Sequence, residues 1–551
     1  MSRHPVSSGS AFLLLSLAAC AGGAVPGERT ITEAALSADL HALAHDSMAG
    51  RLVGTPEVAR AADWIAARFD SFGLKPAGAN GTWFQPFDLT WRALGEPNRL
   101  AIAGEGRTRA PGEGWTPMGV SGSGAGSGEV VFAGYGIVAP AAGWDDYRGA
   151  DVRGKIVLIL EREPGVGDPA SPFDGVVTSE AAREWRKVMS AQERGAAGVL
   201  FVRDIQARPD IGNWAEYHAT TWPPERRRIE RWAIAAWADQ VRIPVAQVSA
   251  EVGERLAAGS GRGLEALARE AEQAAGGLGV IPLGRARISL AVTVVRNVTP
   301  ARNILAMVEG ADSSLRNEYV IVGAHHDHNG ADSAVYNGAD DDGSGTVGVM
   351  AVARAYAEAL RGGRGGERPR RSVIFAIWDA EERGLLGSWY YTTAPVFPLE
   401  RTVANLNLDM IGRHEEVPPD GGGRFNGLEP QTAESNANAV NIVGSTFAPD
   451  VGAALEAANS GPRLTLRYRY DNNESNLLRR SDHWPFLQRG VPAVWVHTGL
   501  HPDYHTHRDD PDRIEYGKMT RIVRLVHRAS WDLANRDGRP GPVVRGPRPR
   551  S

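Results

Sequence analysis

The stretch Tyr319-Val320-Ile321-Val322-Gly323-Ala324-His325-His326-Asp327-His328 joins an apolar run directly to a cluster of histidines and an aspartate. A short, continuous apolar run predicts a strand that is buried on both faces of a largely parallel sheet. In open α/β sheets the ligand site lies beyond the carboxyl ends of the strands. The stretch therefore predicts a buried strand at 319–322 and a functional site immediately after it.

Three further apolar runs in the same half of the chain predict strands of the same kind, at 373–377, 403–408 and 493–496. Helical stretches lie between these runs, for example Val347 to Leu360. Alternating strands and helices predict an α/β fold with a mostly parallel twisted sheet flanked by helices.

Histidines and acidic residues follow each of these predicted strands. The clusters are His325 to His328, Asp340 to Asp342, Glu381-Glu382, Asp409, and Asp503-Tyr504-His505. Because the carboxyl ends of parallel strands lie at one edge of a sheet, we expect these side chains to meet. Imidazole and carboxylate ligands suit zinc and need no thiolate.

Two histidines and three carboxylates are the ligands that a pair of zinc ions needs. Each ion takes one histidine and one terminal carboxylate, and one aspartate bridges two ions about 3.5–4 Å apart. A further carboxylate must take the proton from the attacking water and pass it to the leaving amine. In Glu381-Glu382 one residue can bind metal while its neighbour moves that proton, and Asp327 can accept the second N–H of His325.

These motifs resemble those of the bacterial co-catalytic zinc aminopeptidases of the MH clan. The matching segments are Gly323 to Asp327, Asn337 to Gly345, Glu381 to Ser388, Asn407 to Gly412 and Tyr504 to Thr506. The resemblance implies two Zn²⁺ ions per chain, with the ligands His325, Asp341, Glu382, Asp409 and His505. It also implies that Asp341 is the bridge, that a cis peptide joins Asp341 to Asp342, that Glu381 is the general base, and that Tyr504 faces the oxyanion.

The function implied is that of an aminopeptidase, in which metal-bound hydroxide attacks the N-terminal peptide bond and Glu381 acts as base and then as acid. Three alternatives remain open: glutaminyl cyclase-like chemistry, carboxypeptidase or dipeptidase action on the same fold, and a non-catalytic peptide-binding surface protein. The presence of both His325 and Asp409 favours two metals and argues against cyclisation. The nearby His326, His328, His501 and His507 are not predicted to be ligands.

The upstream half of the chain predicts a second domain. Ser47 to Arg51 and Thr82 to Phe87 resemble the N-terminal arm of the same family, and Gly134 to Leu158 is similar to a protease-associated (PA) domain. We therefore predict an arm at 30–119, an inserted PA domain at 120–290 and the main peptidase part at 291–535. The Arg-, Pro- and Gly-rich tail at 536–551 predicts a disordered end.

The N-terminus predicts export. Residues 1–20 have a basic start, a short apolar run and the sequence Leu17-Ala18-Ala19-Cys20, which resembles a bacterial lipobox. Cys20 is the only cysteine, and a linker is predicted at 21–29. The prediction is a lipoprotein of the periplasm, the outer membrane or the cell surface. The net charge is −5, and no basic domain indicates nucleic-acid binding. The implied peptidase function makes peptides the expected partners, and a lipid on Cys20 is the expected contact with a membrane.

Overall fold

The computed structural model describes residues 25–206, 209–362 and 366–545. The predicted signal peptide at 1–20, with Cys20, lies outside the described residues. Within these ranges, no helix combines the length and the apolar character needed to cross a membrane.

The strands of the described residues follow one another along the chain in two groups. The first group is β1 (Lys75–Pro76), β2 (Phe84–Leu94), β3 (Arg99–Ile102), β4 (Thr108–Arg109), β5 (Trp115–Pro117), β6 (Gly124–Phe132), β7 (Val138–Ala139), β8 (Trp144–Asp145), β9 (Ile156–Leu160), β10 (Gly198–Val202), β11 (Ala233–Ile234), β12 (Val245–Val248) and β13 (Ile281–Val292). The second group is β14 (Val294–Val308), β15 (Tyr319–His325), β16 (Ser372–Trp378), β17 (Thr402–Leu408), β18 (Ala439–Val443), β19 (Thr465–Arg467) and β20 (Ala493–His497).

The α-helices of the described residues are distributed over both halves of the chain. They are α1 (Glu33–Leu43), α2 (Pro56–Ser71), α3 (Glu184–Glu193), α4 (Trp214–Thr221), α5 (Ala235–Ala238), α6 (Ala250–Ala257), α7 (Leu264–Gln273), α8 (Gly345–Arg361), α9 (Leu386–Thr393), α10 (Pro449–Ala458), α11 (His483–Gln488) and α12 (Tyr516–Asn535).

A ten-stranded mixed sheet forms the catalytic domain, in the order β11-β2-β14-β16-β15-β17-β20-β18-β19, with β1 paired to β14. The four central strands β16, β15, β17 and β20 are parallel, whereas β14 and β18 join them antiparallel. All residues of these four strands are buried, as expected for strands that are covered on both faces. The carboxyl ends of four neighbouring strands therefore lie at one edge of the sheet.

Local signals in the sequence explain the helices that frame this sheet. Thr55 caps α2 by accepting the backbone N–H of Val58, and Pro56 occupies the first helical position. Helix α8 packs against β15, β16 and α12 and is buried along most of its length. Its first turn follows Asp340 to Asp342 directly, so the helix fixes the position of these acids.

An eight-stranded sheet forms the second domain, in the order β4-β3-β13-β6-β9-β10-β12-β5. It has hydrophobic clusters of its own, which include Trp115, Phe132 and Leu290. Strands β3, β4 and β5 precede residue 120 but belong to this sheet, so the predicted start of the inserted domain at 120 is wrong. The chain enters the sheet at β3 and leaves it after β13, except that β11 pairs with β2 of the ten-stranded sheet. Strands β3, β4 and β5 have only two to four residues, too few to show a periodic pattern in the sequence.

Two terminal predictions also need correction. Residues 25–29 are not a free linker, because Glu28 is buried and forms a bidentate ion pair with Arg528 at 2.8 Å. The described part of the tail, 536–545, is not disordered. The backbone N–H groups of Gly541 and Val544 donate to Asp450 and Phe447 of the catalytic domain. An Arg-, Pro- and Gly-rich segment cannot build a core, but it can dock on an existing one.

Candidate metal centre

One side of the site is formed by His325, the last residue of β15, and Asp409, which follows the adjacent strand β17. His325 Nε2 lies 3.3 Å from Asp341 Oδ1 and 3.8 Å from Asp409 Oδ1. The His325 side chain is 1% exposed, and its Nε2 makes no hydrogen bond within the described residues. His325, Asp341 and Asp409 together form a group of ligand atoms close enough to hold one ion.

The other side of the site uses the second oxygen of Asp341. His505 Nε2 lies 2.9 Å from Asp341 Oδ2 and 3.2 Å from Glu382 Oε1. Asp341 therefore presents one carboxylate oxygen to each histidine, as a bridging ligand must. All five predicted ligands meet at the edge formed by the central parallel strands.

His328 also reaches this second side, although the sequence gave no reason to predict it. Its Nδ1 lies 2.8 Å from Glu382 Oε1 and 4.0 Å from Asp341 Oδ2, and the three residues form a second group suited to a metal. The ring is completely buried and packs against Gly338, where a Cβ atom would lie 2.5 Å from the His328 Cγ. The glycine at 338 therefore makes room for this imidazole.

Asp327 contacts His325, as predicted, and also holds Glu381 and Glu382, which was not predicted. The Nδ1–H of His325 donates to the backbone oxygen of Asp327 at 3.2 Å, and the Asp327 carboxylate lies 3.5 Å from the same nitrogen. This arrangement leaves the lone pair of Nε2 for a metal. The carboxylate of Asp327 also accepts the backbone N–H groups of Glu381 at 2.9 Å and Glu382 at 3.3 Å.

The three consecutive acids before α8 have three different roles. Asp341 joins the two sides, and the peptide bond between Asp341 and Asp342 is cis, as expected. Asp342 accepts the backbone N–H groups of His325, Gly345 and Met410, so it ties β15 to α8. Asp340 is fully buried and pairs with His501 at 3.2 Å, so it is not a solvated helix end.

Two residues far from this loop in sequence hold it in place. Asp509 accepts the backbone N–H groups of Asp340 and Asp341. Arg51, from the N-terminal arm, is completely buried and donates to the backbone oxygens of His326, Leu43, Asn337 and Gly338. Burial lowers the pKa of Arg51 to about 10, so the guanidinium remains charged at neutral pH. The motif around Arg51 was visible in the sequence, but its distance from the site hid its role.

Asp409 is fixed from several directions. Its carboxylate accepts the hydroxyl of Ser481, and its backbone oxygen accepts the Trp495 indole N–H at 2.9 Å and the His497 ring N–H at 3.1 Å. Ser481, two residues before α11, thus supports a predicted ligand.

Glu381 and Tyr504 lie beside the ligands. Glu381 Oε2 is 3.6 Å from His325 Nε2, and its side chain is 9% exposed. The Tyr504 ring stacks on the His505 ring, with centroids 3.8 Å apart. Both residues are in position to contact a substrate held at the ligands.

The electrostatics of the site call for a cation. Burial raises the pKa of Glu381 well above its usual range. Burial alone would lower the pKa of His505, but Glu382 and Asp341 raise it to about 10. The carboxylates thus stabilise positive charge at the imidazoles, and a divalent ion would satisfy the same carboxylates directly.

The remaining nearby histidines do not face the ligands. His326 donates from Nδ1 to the backbone oxygen of Trp378 at 2.9 Å, and burial lowers its pKa to about 4. His501 pairs with Asp340, and His507 is exposed. Of the four histidines set aside in the sequence, only His328 lies at the metal centre.

Comparison with known proteins identifies both domains. Residues 303–530 match the model for Peptidase family M28, and residues 126–256 match the model for the PA domain. A leucine aminopeptidase 2 of Trichophyton equinum is 26% identical over 262 residues, which cover 47% of this chain and 42% of that protein. A probable glutamate carboxypeptidase of Arabidopsis thaliana is 29% identical over 256 residues, covering 45% of this chain and 32% of that protein. The chain thus spans less than half the length of either relative.

A solved structure has a similar fold. The aminopeptidase from Aneurinibacillus sp. strain AM-1 superposes with a TM-score of 0.50 at 20% identity, over 95% of this chain and 98% of that chain. The likeness covers both domains and confirms the predicted fold class. With both family models matched in their expected places, residues 303–530 belong to peptidase family M28 and residues 126–256 to an inserted PA domain.

Proposed function

We propose that this chain is a zinc-dependent exopeptidase that removes the N-terminal residue from peptides. The observation that carries the proposal is that Asp341 presents one oxygen to His325 and the other to His505, with Glu381 3.6 Å from His325. Membership of peptidase family M28 supports hydrolysis of peptide bonds, and an aminopeptidase is among the relatives.

The donor set fits two zinc ions. Imidazole and carboxylate donors suit zinc, and the buried Nε2 of His325, which makes no hydrogen bond to any described residue, has a lone pair for an ion. His325 and Asp409 would hold one ion, Glu382 and His505 the other, and Asp341 would bridge them. When bound, such a pair supplies Lewis-acid polarisation of the scissile carbonyl and lowers the pKa of water.

Glu381 transfers the proton in this proposal. Its backbone N–H is held by Asp327, and its carboxylate faces His325 Nε2 across 3.6 Å. Glu381 takes a proton from the attacking water and delivers it to the leaving amine, so the residue returns to its starting state after each turnover. Asp327 contributes by positioning both Glu381 and Glu382.

Tyr504 stabilises the negative charge that develops on the carbonyl oxygen. Its ring is fixed by stacking on His505, and its phenol O–H is a hydrogen-bond donor. A donor held in place before the reaction stabilises an oxyanion without reorganisation during the step.

Hydrolysis of aminoacyl-p-nitroanilides and of their N-acetylated versions tests this activity. We expect cleavage of the free-amine substrates only, abolished by a chelator and restored by zinc. In Glu381→Gln, we expect kcat to fall by about 10²–10⁴-fold while bound zinc is retained, because the variant loses only the proton carrier. Equal cleavage of the acetylated substrates would contradict an aminopeptidase.

Carboxypeptidase action is the second candidate, because one relative is named a probable glutamate carboxypeptidase. N-acetylated dipeptides with a free C-terminal carboxylate distinguish the two activities. Their cleavage, with the p-nitroanilides left intact, would assign the chain to the second candidate.

We also propose that the protein is exported and anchored by a lipid on Cys20. The support is the sequence Leu17-Ala18-Ala19-Cys20 behind a basic, apolar start. Metabolic labelling with palmitate should mark the wild-type protein and leave Cys20→Ser unlabelled. Labelling of both proteins, or of neither, would contradict this anchor.

A further inference from the structure

A cavity of about 920 Å³ lies between the PA domain and the catalytic domain. Its walls come from β2, from the PA segments around Glu180–Arg186 and Thr221–Gln240, and from Arg383–Leu386 and Trp389 of the catalytic domain. Ligand pockets in proteins commonly have volumes of about 300–1,000 Å³. The cavity therefore has the dimensions of a binding site.

One wall of this cavity is directly connected to the metal centre. Arg383 follows the ligand Glu382 in the chain and donates to Asn329 Oδ1 at 2.6 Å. The amide of Asn329 donates in turn to Glu382 Oε1 at 3.2 Å. Arg383 also lies 3.8 Å from Glu382 Oε2, so the segment that carries this ligand forms part of the cavity wall, and the cavity adjoins the metal centre.

The charge of the cavity is opposite to that of the metal centre. Eight arginines and four glutamates line it, an excess of four positive charges, whereas the metal centre is rich in carboxylates. Arg186, Arg231 and Arg489 have no carboxylate within 4 Å in the described part of the chain. All three side chains are exposed, and Arg183 and Arg489 both lie close enough to Arg186 to repel its charge, which Glu180 offsets in part. An anionic group placed here would relieve the repulsion among these guanidinium groups.

Tryptophan forms much of the rest of the lining. Trp91, Trp185, Trp222, Trp232, Trp237 and Trp389 all face the cavity region. The Trp185 and Trp237 rings stack at 5.5 Å, and the Arg183 guanidinium lies 5.1 Å from the Trp389 ring. Rigid aromatic rings offer contact to the apolar parts of a peptide at little cost in conformational entropy.

We propose that this cavity binds the carboxylate end of a short peptide whose amino group lies at the metal ligands. The inference rests on the proposed aminopeptidase function and names its substrate class. Guanidinium groups recognise carboxylates by paired, charge-assisted hydrogen bonds. A sphere of this volume is about 12 Å across, which accommodates about three extended residues at roughly 3.3 Å each. The enzyme is thus matched to small peptides with free ends.

The test compares the tetrapeptide Leu-Gly-Gly-Phe with its C-terminal amide, using the zinc-loaded protein. We expect kcat/KM for the amide to be lower than for the acid by about tenfold or more. The main change should be a higher KM, because the amide lacks the negative charge that the arginines bind. In the double variant Arg186→Gln/Arg489→Gln, we expect this difference to disappear, and leucine-p-nitroanilide, which has no C-terminal carboxylate, reports separately on the metal centre. Arg285→Gln, at an exposed position on β13 outside the cavity lining, is the matched control and should behave as wild type.

Two results would overturn the proposal: equal kcat/KM for acid and amide in the wild type, or a difference that persists in the double variant. In either case, cleavage of leucine-p-nitroanilide would leave the aminopeptidase function standing. If no substrate is cleaved, calorimetric binding of the two peptides to wild type and double variant still decides the role of the cavity. Tighter binding of the acid form, lost in the double variant, supports the cavity; equal binding of the two forms excludes it.

Discussion

The two sides of Asp341 differ in how the fold supports them. His325 ends β15 and Asp409 directly follows the neighbouring parallel strand β17, and their side chains are 1% and 5% exposed. His505 lies on a loop after β20, with a left-handed backbone and a side chain that is 34% exposed. Strand ends are fixed by the hydrogen bonds of the sheet, whereas exposed loops open more easily. We therefore expect tighter binding and slower exchange for the ion on the His325 side.

The largest effect is expected at the residue that the two sides share. Asp341→Ala removes one oxygen from each ligand group, so both ions should be lost and activity should fall by about a thousandfold or more. Zinc content after dialysis and leucine-p-nitroanilide hydrolysis measure the two effects. Asp332→Asn, a nearby carboxylate that is exposed and outside the ligand set, should retain both ions. If Asp341→Ala retained both zinc ions, Asp341 would not be the ligand that the two sides share.

Changing one histidine at a time should separate the two sides. His505→Gln should keep the ion on the His325 side and lose the other under mild chelation, because His325 and Asp409 remain in place. His325→Gln should lose the more tightly held ion. Metal content measured over a series of chelator concentrations gives the order of release. Release in the same order and at the same concentrations in both variants would mean that the two sides do not differ.

His328 tests the side of Asp341 that contains His505 and Glu382. Its ring lies against Glu382 Oε1, so His328→Asn should weaken only the second ion, by about 10–100-fold. Competition with a chelating dye measures both affinities in one titration. His507→Asn, an exposed histidine close to His505, is the control and should leave both affinities unchanged. If His328→Asn lowers the affinity for both ions equally, the imidazole affects binding through Asp341, which both sides share.

Much of this site could be predicted from the sequence because ligands that follow buried strands share one edge of the sheet. His325, Glu382 and Asp409 lie close to the ends of apolar runs that are strands in the structure. The bridging role of Asp341 could be assigned only through the family resemblance, since three adjacent acids look alike in sequence. Their hydrogen bonds distinguish them once the fold is known.

Other parts of the molecule gave no local signal. Arg51 of the N-terminal arm donates to the backbone oxygens of His326 and Asn337, more than 270 residues later in the chain. Because every residue has a backbone oxygen, the sequence does not show which residues Arg51 contacts. The start of the inserted domain is likewise set by long-range pairing of β3 with β13. Such features depend on tertiary contacts, and periodicity or composition does not encode them.

The comparison between the two sides also requires a fold that stays intact when the metals are removed. The stability of the chelated protein at low pH tests that condition, and His527, far from the site, is expected to affect it. His527 on α12 is fully buried, donates from Nε2 to the backbone oxygen of Pro26 at 2.8 Å, and packs edge-on against Tyr356. Burial lowers its pKa to about 4, below the value of about 6.5 in an unfolded chain.

Between these two pKa values the unfolded chain binds a proton at this position and the folded protein does not. His527 therefore lowers the free energy of unfolding as the pH falls from 6.5 to 4, by up to about 1.4 kcal/mol per pH unit. His527→Gln keeps a donor for the Pro26 oxygen but cannot titrate, so its urea midpoint should fall less across this window. Measurements on chelated protein at several pH values exclude any contribution from the metals, and His507→Gln should follow the wild type. If His527→Gln loses stability as steeply as the wild type, other buried groups control the acid sensitivity, and metal release below pH 6 cannot be attributed to the ligands alone.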